Sequence, residues 1–76
     1  HWTVRRMRLK VAKLTTNLFE IFMSEPQLLP PDWFKSIESL NDRTSTARTI
    51  ADYIAGMTDR FALLEHKKLS DPHYLS

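Results

Sequence analysis

The chain has 76 residues, 42% hydrophobic and 26% charged, with 11 basic and 9 acidic side chains for a net charge of +2. A chain this short buries only about 60% of its unfolded surface, so it holds one modest core and not a cleft walled on all sides. The composition excludes a disordered chain, and the absence of cysteine excludes a disulfide framework or a thiolate metal site.

From about Val4 to Ser24 the pattern predicts a helix, written here as 4–24. Met7, Val11, Leu14, Leu18 and Ile21 step by 4, 3, 4 and 3. At 100° per residue they stay within about 40° of one line. Phe22 widens that stripe. Arg6, Lys10 and Lys13 repeat the same spacing one residue earlier and flank it. Arg5, Arg6, Arg8, Lys10 and Lys13 are all basic, and the first acid is Glu20. Pro26 ends the helix near Glu25, because proline disfavours helical geometry in the residue before it.

The stretch PQLLPPDW places three prolines in six residues, which enforces extended chain and a turn. A short helix is expected over 33–40, with Asp32 as its N-cap and Trp33, Phe34, Ile37 and Leu40 available to bury. NDRTSTA then reads as a polar loop, with Thr44, Ser45 or Thr46 as the next N-cap.

The last helix is expected over 47–68. Its apolar stripe is Ile50, Ile54, Met57, Phe61 and Leu64, and a second line carries Ala51, Ala55, Thr58 and Ala62. Gly56, the one glycine in the chain, sits in the middle of this helix, where glycine costs about 1 kcal/mol relative to alanine. With the small-residue line it forms a low patch against which another helix can lie. Asp52, Asp59 and His66 fall seven apart and would share a face, with Arg48 beside them. The ordinary reading of that face is a solvated surface with weak ion pairs. Lys67 and Lys68 suit the C-terminal helix dipole, and the tail SDPHYLS is expected to fray. The fold class is therefore all-α: two long helices joined by a proline-bounded crossover with a short helix.

IADYIAGMTDRFALLEHKKL, and within it the run from Asp52 to Arg60, resembles the signature near the C-terminus of the deoxyguanosinetriphosphate triphosphohydrolase (dGTPase-like) family of HD-domain phosphohydrolases. HWTVRRM, LFEIFMSEPQLLPPDW and the pair Arg43 and Arg48 resemble what precedes it in that family, in the same order. The likeness covers nearly the whole chain. It departs at Ser70, where an aromatic residue is expected.

The resemblance implies one C-terminal region over residues 1–76 of a larger enzyme that converts a dNTP to the deoxynucleoside and triphosphate. The chain begins His1-Trp2-Thr3 with no initiator methionine, as expected of a cleaved or excised segment. The family holds a divalent metal through a His, a His-Asp pair and a further Asp in an upstream HD domain. None of His1, His66 and His73 is followed by Asp, so no catalytic or metal-ligating residue is expected here. The implied partners are the HD domain, the dNTP substrate through that domain, and further copies in a homo-oligomer. Asp52, Gly56, Asp59 and Arg60 are the implied domain-docking residues. Their polar groups would look under-satisfied in the isolated segment.

Arg5, Arg6 and Tyr53 are the candidates for phosphate, substrate or effector contact. Arginine donates two hydrogen bonds at once to phosphate, but most surface basic residues simply keep a helix soluble. Tyr53 either reaches a nucleotide pocket or packs with its hydroxyl satisfied. His66, Asp71 and His73 lack a fixed ligand spacing and read as surface residues. Trp2, Trp33, Phe19, Phe22, Phe34 and Phe61 sit beside Leu and Ile and read as core or interface residues, not a stacking platform. No apolar run approaches the roughly 20 residues that span a bilayer, and no signal-peptide pattern is present. A cytoplasmic protein without a membrane partner is expected. A stand-alone helical interaction module and a basic nucleic-acid or effector-binding segment remain the alternatives, although a charge of +2 is too mild to imply nucleic acid.

Overall fold

The computed structural model describes residues 1–71; the expected fraying of the tail and the placement of His73 lie outside them. Among the described residues it contains helices and no strand: α1 (Trp2–Ser24), a 3-10 turn (Pro26–Leu28), α2 (Pro31–Glu38), α3 (Arg43–Ala55) and α4 (Asp59–Ser70).

α1 starts earlier than the apolar pattern indicated, because Nδ1 of His1 accepts the N–H of Thr3 at 3.3 Å. It ends as expected. Glu25, held before Pro26, has left helical geometry at φ −135°, ψ 76°. Leu29 and Pro30 continue as extended chain (ψ 156° and 149°), and Leu29 is buried, which pins the crossover to the core. α2 is entered through Pro30 and Pro31, so Asp32 is not its cap but a first-turn acid facing the helix dipole. Likewise Asp42, not Thr44, Ser45 or Thr46, caps α3. Its carboxylate accepts from the backbone N–H of Thr44 (3.3 Å) and of Ser45 (3.0 Å), and from the Ser45 hydroxyl (2.7 Å).

The expected single helix over 47–68 is two helices. The N–H of Gly56 is shared between the carbonyls of Asp52 and Tyr53, both at 3.3 Å, and Met57 N–H donates to Ile54 O at 3.0 Å. The bonds to Tyr53 and Ile54, each reaching back three residues instead of four, tighten the last turn of α3. Thr58 then turns to ψ 161° and its hydroxyl accepts the N–H of Phe61 at 3.1 Å, starting α4. Breaking the helix turns α4 back onto α1, where Ala62 enters the core.

The core is Leu14, Leu18 and Phe22 of α1 with Leu29, Ile37, Ile50 and Ala62. Phe22, Leu18 and Ile50 are completely enclosed, each stabilising the fold by about 1.5–3 kcal/mol. No buried side-chain polar atom among the described residues lacks a hydrogen-bond partner. The molecule is 44 × 30 × 17 Å. Helices pack with axes about 8–10 Å apart, so a 17 Å thickness accommodates two helical layers and leaves each helix one face that its own chain does not cover.

Candidate docking surface

The N-terminal ten residues of the chain are all exposed, although nine of them are helical. The expected stripe is buried only in its later part. Leu14 and Leu18 are enclosed, Val11 and Ile21 are half-buried, and Met7 is 49% exposed. Val4 (52%), Leu9 (62%) and Trp2 (62%) are open as well. Val4 and Met7 prolong the core stripe. Trp2 and Leu9, by the 100° turn per residue, lie on the opposite side of the helix. Arg6 places its guanidinium carbon 5.0 Å from the centroid of the Trp2 ring, and the His1 ring stacks on the other partner of that pair, Trp2, at 6.1 Å. An exposed cation–aromatic contact contributes about 0.5–1 kcal/mol. Arg5 and Arg8 border one shallow recess with His1 and Val4, and Arg6, Lys10 and Lys13 border another with Leu9.

The break at Gly56 separates the expected docking residues. Asp52 is on α3, Gly56 caps it, and Asp59 and Arg60 open α4. Asp52, Asp59 and His66 therefore do not share one helical face. Asp52, Gly56, Asp59 and Arg60 are all exposed. None of these side chains is enclosed by the chain itself, so the buried hydrogen bonds that the resemblance implies would form only against a partner domain. Of the small-residue line, Ala51 and Ala55 are exposed, Thr58 is the cap, and Ala62 alone is buried.

Beside Gly56 lies an open notch of about 350 Å³, lined by Trp33, Tyr53, Gly56, Met57, Thr58 and Phe61. A Cβ built on Gly56 would meet only the carbonyl oxygens of Tyr53 (3.7 Å) and Asp52 (3.8 Å), which is ordinary contact. Its backbone is αR, at φ −82° and ψ −5°. The chain's own fold thus neither requires a glycine there sterically nor conformationally.

Tyr53 is half-buried. Its ring meets Phe22 edge-on at 5.7 Å and Trp33 at 5.2 Å. Burial, and secondly the Glu65 carboxylate, raise its phenol above the usual 10.0. Its ring is a packing element between α1 and α2. Sequence reasoning did not find this aromatic trio, because Phe22, Trp33 and Tyr53 belong to three different helices and share no local period. The Asp42 cap was legible in principle from Asp-x-x-Ser ahead of the helix. Ser45, acting through its hydroxyl first and its backbone N–H second, holds the Asp42 carboxyl below the usual 3.8, with the Thr44 N–H adding to the effect.

No group of three or more His, Asp or Glu among the described residues is arranged to hold a metal ion. His66 is half-buried with its Nε2 3.5 Å from the Ser70 hydroxyl. No described helix is long and apolar enough to cross a membrane.

The described residues thus form an all-helical region of two layers around a small apolar core, with large apolar side chains left open on α1 and α4. The chain belongs to the phosphohydrolase-associated domain family, which it matches over residues 1–68. It is 49% identical over 67 residues to a deoxyguanosinetriphosphate triphosphohydrolase-like protein of Cereibacter sphaeroides, covering 88% of this chain and 18% of that protein. The corresponding protein of Caulobacter sp. (strain K31) is 45% identical over 69 residues, and that of Rickettsia rickettsii 44% over 73 residues, or 96% of this chain and 19% of the relative. The chain thus spans less than a fifth of the length of these relatives. No solved structure matches it.

Proposed function

We propose that this region is the C-terminal associated part of a dNTP triphosphohydrolase of the dGTPase-like kind. Its task is structural: it packs on a catalytic HD domain and completes that domain's fold. The chemistry, hydrolysis of a dNTP to deoxynucleoside and triphosphate with a divalent metal, belongs to that domain, and the assembled enzyme is a cytoplasmic homo-oligomer. The observation that carries the reading is the family match over residues 1–68, coupled with relatives of which the chain forms less than a fifth. Large apolar side chains left open on α1 and α4 support it, because apolar surface of this kind marks an interaction site.

The test compares triphosphate release from dGTP, with Mg²⁺ or Mn²⁺, by three proteins. These are the 76-residue chain, the intact Cereibacter sphaeroides relative, and that relative with its matched 67 residues replaced by those of this chain. The chain alone is expected to release none, and the hybrid to keep the relative's activity within about tenfold. Removing the stretch is expected to abolish activity and lower the melting temperature. An active, equally stable truncation would refute the packing role. Salt-dependent binding of an oligonucleotide by the chain alone, lost on Arg5→Ala with Arg6→Ala, would favour the effector-binding alternative.

A further inference from the structure

The apolar surface left open at the start of α1 has an electrostatic surround of one sign. Residues 1–19 carry five basic and no acidic side chains, leaving six basic against nine acidic in the remainder. The open residues of the N-terminal arm, Trp2, Val4, Met7 and Leu9, stand among Arg5, Arg6, Arg8 and Lys10. The other open pair, Phe61 and Leu64 of α4, has both signs beside it, Asp59 and Glu65 as well as Arg60, Lys67 and Lys68, so the one-signed surround belongs to the arm alone. An apolar surface ringed by cations on this chain needs an apolar surface ringed by anions on its partner. The arm of a second copy is disfavoured, since pairing two arms would bring like charges together. Nucleic acid is disfavoured as well: Val4, Met7 and Leu9 are aliphatic, and only Trp2 offers a ring for a base.

The arm also has an energetic requirement. About ten residues of helix with little tertiary packing are marginal in water, and here two opposite faces of those turns carry hydrophobic side chains that are half or more exposed. One flat surface covers one face. Covering both takes a groove.

We infer that the arm Trp2–Lys10 is the anchor of this region, and that it seats in an apolar groove rimmed by Asp and Glu side chains on the catalytic part of the enzyme. The inference rests on the packing role proposed above, and it moves the principal docking site from the Gly56 corner to the start of α1. The relatives have the room for such a groove, since more than four-fifths of their length lies outside the matched stretch. Arg5, Arg6, Arg8 and Lys10 set the orientation, and Leu9 and Met7 fill the groove from opposite sides of the helix.

Hydrogen exchange tests this on the 76-residue chain and on the intact Rickettsia rickettsii relative. In the chain alone, amides 5–10 are expected to exchange at least tenfold faster than those of Leu14–Phe22. In the intact relative, the stretch matching the arm is expected to be slowed to the level of its core. Fast exchange of that stretch, with the stretch matching Asp52–Arg60 slowed, would overturn the arm as anchor and leave the packing role standing. No slowing in either stretch would overturn both. The second measurement grafts this chain into the relative and introduces Leu9→Asp, an exposed position that the core of the isolated chain does not use. At least a tenfold loss of triphosphate release, with the melting of the isolated chain unchanged, is expected. Unchanged activity in the Leu9→Asp graft would overturn the inference. Restoration of the lost activity by Leu9→Met identifies the groove as apolar; a Leu9→Met graft as inactive as Leu9→Asp would overturn it.

Discussion

Replacing Thr58 with alanine decides between one long helix and two, because the alternatives give opposite signs. In the structure the Thr58 hydroxyl accepts the N–H of Phe61 at 3.1 Å, and the residue sits at ψ 161° as the N-cap of α4. Thr58 is exposed, so removing its methyl and hydroxyl sacrifices little burial. Loss of such a cap costs about 0.5–2 kcal/mol, typically ~1. In an uninterrupted helix the same change would replace a poor helix former with the best one and gain up to ~0.7 kcal/mol. For a domain of this size 1 kcal/mol moves the melting temperature by about 4–8 °C. Thermal unfolding followed by circular dichroism is therefore expected to show a fall of about that size for Thr58→Ala. Thr58→Ser, which keeps the accepting oxygen, should stay within about 0.5 kcal/mol of the parent. A rise in melting temperature for Thr58→Ala would refute the cap and, with it, the break that turns α4 onto α1.

Gly56→Ala should stabilise the isolated chain by about 0.4–1 kcal/mol in urea titration, since its Cβ meets nothing closer than 3.7 Å and its φ is negative. Phe22→Ala should cost about 3–5 kcal/mol and broaden or abolish the cooperative transition, because the side chain is completely enclosed against Tyr53. The Asp42 carboxyl is held below 3.8 in the folded chain, so its contribution is complete above that pH and is lost as pH falls through the lowered value. Asp42→Ala should flatten this part of the acid-unfolding profile. Tyr53 behaves oppositely: its phenol is raised above 10.0, so its contribution is complete below that pH and is lost as pH rises through the raised value. Tyr53→Phe should remove that alkaline loss, and Glu65→Gln should bring the Tyr53 absorbance titration closer to 10.0.

Much of the helical architecture was legible locally. Pro26 dictated the end of α1, and the apolar positions Leu14, Leu18 and Ile50 follow from period alone. The break at Thr58 was harder to read. A threonine followed by an aspartate fits a cap, yet the 4, 3, 4, 3 spacing of apolar residues runs straight through it. Both signals are local and point opposite ways, whereas the broken form buries Ala62 and packs α4 on α1, a contact between residues far apart in sequence. The candidate site divides in the same way. The polar character of Asp52, Asp59 and Arg60 was plain from their types, but their grouping on one face assumed a straight helix that the fold does not make.

The sequence by itself determined the helical class, the basic first quarter of the chain and the likeness to the triphosphohydrolase signature, because period, charge and residue order are properties of the string. The tertiary structure decided which part of each apolar stripe is covered. Met7 and Leu18 look alike to any periodic rule, and one is half-open while the other is enclosed. Burial depends on where α3 and α4 end, and a two-layer fold 17 Å thick has too little chain to cover a helix of about 34 Å along its whole length.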